Sequence, residues 1–295
     1  MKARPQDGAG GAAGALPPVV APVRLRQLGF DGSQLDRLDQ LVEEVPVALV
    51  YNGISHAVMM ASPADLADFA RGFSLSEGII ERADEIRAVE AVAHDKGVEL
   101  QIDLAPERFW RLKERRRTLA GRTGCGLCGI DSLEEVARDL QVLPDGGVVA
   151  LAAIQRGLAA LPAAQVWNAE ARALHAAAFC DRAGRLLLLR EDVGRHNALD
   201  KLLGALVAAG IDPAAGFAII TSRCSVEMAQ KAIVAGIRVL VAVSAPTLMA
   251  RRLAESNNLT LAALARQDSI LVVAHGERIL GERIQVERTD TESRQ

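Results

Sequence analysis

The chain has 295 residues, half of them hydrophobic and 24% charged, and 34 Lys+Arg against 37 Asp+Glu give a formal net charge of −3. Such a chain buries a sizeable core, so wholesale disorder is excluded and one large domain or two smaller ones is expected. Aromatics make up only 3% and no global positive field exists, which argues against single-stranded and duplex nucleic-acid binders alike.

No apolar run approaches the length that spans a bilayer, and the N-terminus lacks the hydrophobic segment of a secretory signal, so a soluble cytoplasmic protein is expected. Residues 1–22, rich in Ala, Gly and Pro, read as a disordered leader, and 286–295 as a polar tail. Between them an N-terminal α+β portion is expected over 23–145 and an α/β core over 146–285. Pro46–Tyr51 and His56–Ala61 flank Asn52-Gly53, a hairpin signal. Ser62-Pro63 opens a helix with Leu66, Phe69 and Ala70 on one face. Strands are predicted near 86–92 and 98–104. A helix over about 106–118 carries Arg111, Lys113, Arg115, Arg116 and Arg117.

The segment Gly121-Arg-Thr-Gly-Cys-Gly-Leu-Cys-Gly129 interrupts this pattern. Its glycines disfavour regular structure, so a mobile loop is predicted, followed by a helix that Ser132-Leu-Glu-Glu135 would cap. The stretch 140–170 reads as a linker or helical connection. Strands over 173–180 and 186–190 share the turn Asp181–Gly184. Helices are predicted over 194–209, 226–235 and 246–255, and strands over 216–221, 239–243, 259–265 and 270–274. That alternation predicts a three-layer α/β core around a largely parallel sheet.

Cys125 and Cys128 form the sharpest local signal. In a reducing compartment C-x-x-C marks metal binding or thiol chemistry. Half a zinc site would need two more ligands, from Cys180, Cys224 or isolated histidines. A thioredoxin-like pair normally sits where a strand enters a helix, whereas here glycines surround it. A third option is a nucleophilic thiol that carries sulfur as a persulfide, its thiolate favoured by Arg122 and the following helix N-terminus. A second cluster, Arg190-Glu-Asp-Val-Gly-Arg-His-Asn-Ala-Leu-Asp-Lys201, leaves a strand for a helix and puts Asp192, Arg195, His196 and Asn197 where open α/β sheets bind ligands. Capping and solvated charge are the plain alternative there. Ser222 and Arg223 sit at another strand-to-helix junction, Thr221–Met228, as do Ser244–Thr247 and Leu264-Ala265-Arg266-Gln267-Asp268-Ser269 at further strand ends. Parallel topology would bring these ends together as an anionic-ligand pocket. No P-loop or Rossmann fingerprint is present.

Gly121–Gly129, His175-Ala-Ala-Ala, the Arg190–Lys201 block, Ser222-Arg with Glu227-Met-Ala-Gln-Lys-Ala232, and Val241–Thr247 resemble the FdhD family of sulfur carriers, over about residues 45–280. The resemblance implies a cytidine-deaminase-like C-terminal core without the deaminase zinc signature, and no tightly bound metal. It also implies sulfur transfer from a cysteine desulfurase to the molybdenum bis-guanine-dinucleotide cofactor, before insertion into formate dehydrogenase. The first cysteine of the pair, Cys125, would carry the persulfide and Cys128 would assist. Leu264–Ser269 would bind the cofactor, with Arg195, Arg223 and Arg266 on its pyrophosphate and Asp192 or Asp268 on guanine N–H donors. A homodimer is left open.

Overall fold

A computed structural model describes residues 15–120 and 140–281, with side chains described up to 114 in the first stretch. The expected C-x-x-C loop, the helix after Ser132, the side chains of Arg115–Arg117, most of the leader and the tail lie outside the described residues.

The N-terminal half opens with a feature the sequence reading lacked. Strands β1 (Val20–Leu28) and β2 (Gln34–Val42) pair as an antiparallel ribbon. β1 begins inside the stretch expected to be leader. Most ribbon side chains face solvent; Val23 and Leu25 alternate with exposed neighbours but are only partly buried, and no residue of either strand is fully buried.

The predicted hairpin follows as β3 (Val45–Tyr51) and β4 (Ile54–Ala61). Both turn residues, Asn52 and Gly53, have positive φ (46° and 81°), the conformation that favours this dipeptide. With β5 (Ile86–His94) and β6 (Gly97–Leu104) these strands form a sheet in the order β4-β3-β6-β5. Helix α1 (Leu66–Ser76) packs Leu66, Phe69, Ala70 and Phe73 onto Val47, Leu49, Tyr51, Leu100 and Ile102. The alternation of strand residues and the helical spacing meet in one apolar layer. α1 starts three residues beyond Pro63, because Asp65 is left-handed (φ 52°). The basic helix, α2 (Pro106–Ala120), begins on its proline as expected.

In the C-terminal half, the stretch read as a linker or helical connection is helical over α3 (Leu151–Ala164) and α4 (Val166–Ala171), after the short strand β7 (Val149–Ala150). Then come β8 (His175–Asp181), β9 (Leu186–Asp192), α5 (Arg195–Ala209) and β10 (Gly216–Ile220). Helix α6 (Val226–Val234), β11 (Val239–Ala242), α7 (Leu248–Ser256), β12 (Thr260–Ala263) and β13 (Leu271–Ala274) complete the core. β14 (Ile279–Leu280) closes on β7.

Six strands form the central sheet, in the order β13-β12-β11-β10-β8-β9. The sheet is mixed, which corrects the expectation of a largely parallel one. Only β10, β11 and β12 pair in parallel, while β8 and β13 run antiparallel to their neighbours. The cause is local. Asp181–Gly184 and the segment 264–270 are too short for a crossover, and parallel neighbours require one. The three layers do form. Phe179, Ala218, Ile220, Leu240 and Ala242 face α5, α6 and α7, whereas Cys180, Phe217, Ile219, Val239 and Val241 face α3.

The halves meet where α1 crosses α5 in backbone contact. A Cβ on Gly72 would lie 1.7 Å from the Asp200 carbonyl oxygen, and one on Gly204 would lie 1.8 Å from that of Asp68. Only glycine fits at either position.

Candidate functional site

Much of the Arg190–Lys201 block lies in this seam. Asp192 is fully buried. Its Oδ2 accepts the Ser62 backbone N–H at 3.0 Å and pairs with Lys201 Nζ at 2.6 Å, while its Oδ1 accepts from Gly194 N–H at 2.8 Å and Asn197 Nδ2 at 3.1 Å. Asn197 also donates to the Met60 carbonyl at 2.7 Å, and Lys201 to that of Ser62 at 2.9 Å. Burial pulls the Lys201 pKa down, and Asp192 opposes this. Arg190 reaches across to Asp68 Oδ2 with Nε at 2.9 Å and Nη2 at 2.8 Å. Asp200 pairs with Lys231 at 2.9 Å and accepts from Ser76 Oγ at 2.7 Å. Glu191, also buried, accepts the backbone N–H groups of Trp167 and Asn168 at the start of α4. Asp192 and Asn197 therefore join the two halves, and the guanine contact expected of Asp192 is corrected: both of its oxygens are occupied.

Other residues of the block face elsewhere. β9 lies antiparallel to β8, and β8 antiparallel to β10, so the carboxyl ends of β9 to β12 share one edge of the sheet. Hydrogen bonds between the segments that follow show this directly. Cys224 N–H donates to the Ala245 carbonyl at 3.1 Å, Thr247 N–H to Cys224 at 3.0 Å, and Leu264 N–H to Ser244 at 3.2 Å. The expected convergence of polar strand ends thus holds for Thr221–Ser225, Ser244–Thr247 and Leu264–Ser269, with Arg195 and His196 at the same edge.

The individual residues differ in what they present there. Ser222 is buried and donates to the Arg223 carbonyl at 3.0 Å, while Arg223 itself is exposed. Leu264 is left-handed (φ 47°) and exposed. Ala265 packs in the core toward α3, so its side chain is withdrawn from any ligand. Arg266 closes a turn, its backbone N–H donating to the Ser269 carbonyl at 2.8 Å, and its Nη1 donates to the carbonyls of Val243 and Ala265. The Gln267 carbonyl accepts from Gln155 Nε2 at 2.8 Å. Asp268 accepts from Ser269 Oγ at 3.2 Å, both residues being exposed.

Arg195 Nε and His196 Nε2 are buried without a hydrogen-bond partner among the described residues. Burial, with Arg195 and Lys231 nearby, pushes the His196 pKa down to about 4, so the ring is neutral at pH 7. Glu227 stands 4.0 Å from His196 Nε2 and accepts from Ser225 Oγ at 2.5 Å. Burial alone would raise its pKa, but the bond from Ser225, its own backbone N–H and the positive charge of Arg195 hold it below the usual carboxylate value. The sequence reading quoted Glu227 in a motif without giving it a role. Its position in the first turn of a helix that follows a strand end was the available signal.

Cys180 and Cys224, the thiols a zinc site would have to recruit, are buried in opposite layers of the core. Burial pushes each thiol up to about 12. Among the described residues no three His, Cys, Asp or Glu side chains cluster as a metal site, and no helix is long and apolar enough to cross a membrane.

Comparison with known proteins adds three findings. The chain is 49% identical over 241 residues to the sulfur carrier protein FdhD of Bordetella petrii, covering 82% of this chain and 87% of that one. It is 51% identical to the protein of the same name from Cupriavidus necator, covering 82% and 84%. A crystal structure described as a putative formate dehydrogenase accessory protein from Desulfotalea psychrophila superposes with a TM-score of 0.71 at 22% identity, covering 89% of this chain and all of that one, and so shares the fold. The signature of the FdhD/NarQ family matches residues 42–280, a span that holds the C-x-x-C, the seam and the sheet edge alike, and the chain belongs to that family.

Proposed function

We propose that this protein accepts a sulfane sulfur from a cysteine desulfurase as a persulfide on Cys125 and passes it to the molybdenum bis-guanine-dinucleotide cofactor, before that cofactor enters formate dehydrogenase. The observation that carries the reading is the family match across 42–280, which includes the only C-x-x-C in the sequence. The relatives' name, sulfur carrier protein, supports it. A sheet edge with exposed arginine, and with buried nitrogens that have no partner among the described residues, suits an anionic nucleotide portion. The cytoplasm is the proposed compartment, and a deaminase-like origin of the three-layer core is part of the same reading.

In the loading step the Cys125 thiolate attacks the terminal sulfur of the donor's persulfide, and the donor leaves as its own thiolate. In the delivery step the Cys128 thiolate attacks the inner sulfur of the Cys125 persulfide. A Cys125–Cys128 disulfide forms, sulfide leaves with the bonding electron pair, and a cellular dithiol then reduces the disulfide. Zinc binding or plain thiol redox chemistry by the pair is the competing reading. The separation of Cys180 from Cys224 disfavours a zinc site built from all four thiols.

Intact mass after incubation with desulfurase and cysteine tests the proposal. The wild type should gain one reductant-labile sulfur. Cys125→Ala should gain none and should fail to activate formate dehydrogenase while keeping its fold. Normal activation by that variant would overturn the assignment.

A further inference from the structure

Helix α2 is strongly basic in a chain whose formal net charge is −3: Arg108, Arg111, Lys113, Arg115, Arg116 and Arg117 stand on it against Glu107 and Glu114. Its Phe109 and Leu112 pack into the N-terminal core. Trp110, by contrast, is 58% exposed, with Lys113 Nζ 5.3 Å from its ring centroid. One of the chain's two tryptophans is thus held in solvent among cations, at a position where helix amphipathicity calls for a polar residue. Glu81 ties the helix to a cavity beside it. Its carboxylate accepts from Arg108 Nη1 at 2.8 Å, and Arg111 Nη1 stands 3.8 Å away. Glu81 and the exposed Arg82 line a partly open cavity of about 210 Å³ between the two halves, whose remaining wall is aliphatic, with Leu75, Ile80, Leu206 and Ile211. That volume suits one large side chain, since small-molecule pockets begin near ~300 Å³.

We propose that this face, Trp110 and Arg111 on α2 with the cavity beside Glu81, docks an acidic protein surface that inserts one apolar side chain, and that the surface belongs to the sulfur donor. The excess of cations on α2 sets the sign of the partner, and the aliphatic cavity sets its anchor. Tryptophan and arginine dominate the hot spots of protein interfaces, where an anchor side chain fills a pocket within a ring of polar contacts. An anionic membrane fits less well, because a helix that lies on lipid needs its apolar face free, and that of α2 is turned into the core. The choice of the donor as occupant rests on the sulfur-carrier reading, and chain position supports it. Helix α2 ends at Ala120, and at most about 18 Å of extended chain separates that residue from Cys125. A donor seated on α2 is thereby kept close to the thiol it must load.

Persulfide loading of the full chain, followed by intact mass, tests this with two sulfur sources. One is a cysteine desulfurase with cysteine. The other is glutathione persulfide, whose outer sulfur passes to the Cys125 thiolate while glutathione leaves as its thiolate. Trp110→Ala combined with Arg111→Glu should slow loading from sub-saturating desulfurase about tenfold or more, and leave loading from glutathione persulfide unchanged. Ala83→Phe, at the exposed mouth of the cavity, should slow desulfurase loading without altering charge. Raising the salt from about 0.05 M to about 0.5 M should slow the wild type with desulfurase only, because screening shortens the reach of charge. Equal desulfurase loading by the wild type and both variants would overturn this inference and leave the carrier reading standing. Loss of loading from both sources in both variants would overturn it as well, since the substitutions would then act on the thiol rather than on docking. Unchanged loading with variant-sensitive sedimentation on phosphatidylglycerol vesicles would give the face to a membrane instead. A wild type that takes sulfur from neither source would overturn the carrier reading, and this inference with it.

Discussion

The seam and the sheet edge draw on one stretch of sequence and treat polarity in opposite ways. In the seam, Asp192, Asn197, Lys201, Asp200 and Arg190 are matched to named partners across the two halves. At the edge, a few residues away, Arg195 and His196 keep buried nitrogens without partners among the described residues. Residue type does not separate the two regions, but satisfaction does. A saturated polar network fixes a structure, and an unsaturated one awaits something. The motif Arg190–Lys201 therefore does two jobs, and its density of charge reports mostly on the first.

The comparison can be broken at its steepest point by filling the backbone contact. Gly204→Val puts side-chain atoms where the Asp68 carbonyl oxygen stands, 1.8 Å from the Cβ position, and neither helix can yield. The expected outcome is loss of the cooperative folded state, read by denaturant unfolding and gel filtration. Asp192→Asn is milder. It leaves the Lys201 ammonium buried without its counter-charge and should cost about 3–5 kcal/mol. Replacing both partners, as Asp192→Leu with Lys201→Met, should cost less than the sum of the single changes. Additivity in that cycle would mean the pair is not coupled as its 2.6 Å contact implies.

The smallest effect belongs to the edge. The folded pKa of His196 is pushed down to about 4, below the roughly 6.5 of an unperturbed histidine. The native state therefore binds fewer protons than the unfolded one between those values, so stability falls as pH drops from about 6.5 to 4. Because a third of the side chain is exposed, the slope should be shallow. His196→Gln should flatten it, whereas a slope unchanged in that variant would place the titration elsewhere.

Both sheets were legible in the sequence, though by different signals: Val45–Tyr51 alternates over its first half, whereas Gly216–Ile220 is buried at every position and reads as a short apolar run. The ribbon at Val20–Val42 escaped because its alternation, at Val23 and Leu25, is short and only partly buried. The mixed sheet order escaped for a different reason, since alternating helices and strands suggest parallel pairing, and only loop length, seven residues between β12 and β13, argues otherwise. For the site, position was readable and occupancy was not. A strand end could be assigned to the ligand edge from topology. That Asp192 faces Ser62, 130 residues away, is a tertiary fact no local pattern contains.

That distance has a consequence during synthesis. Ser62, Met60 and Asp68 leave the ribosome well before Asp192, Asn197 and Arg190 exist to meet them. At about 5–20 residues per second the nascent N-terminal half waits roughly 7 to 26 s for its partners. Throughout that interval the side of α1 that carries Gly72 is uncovered. Whatever meets the nascent chain then meets an unfinished surface that the completed protein no longer shows.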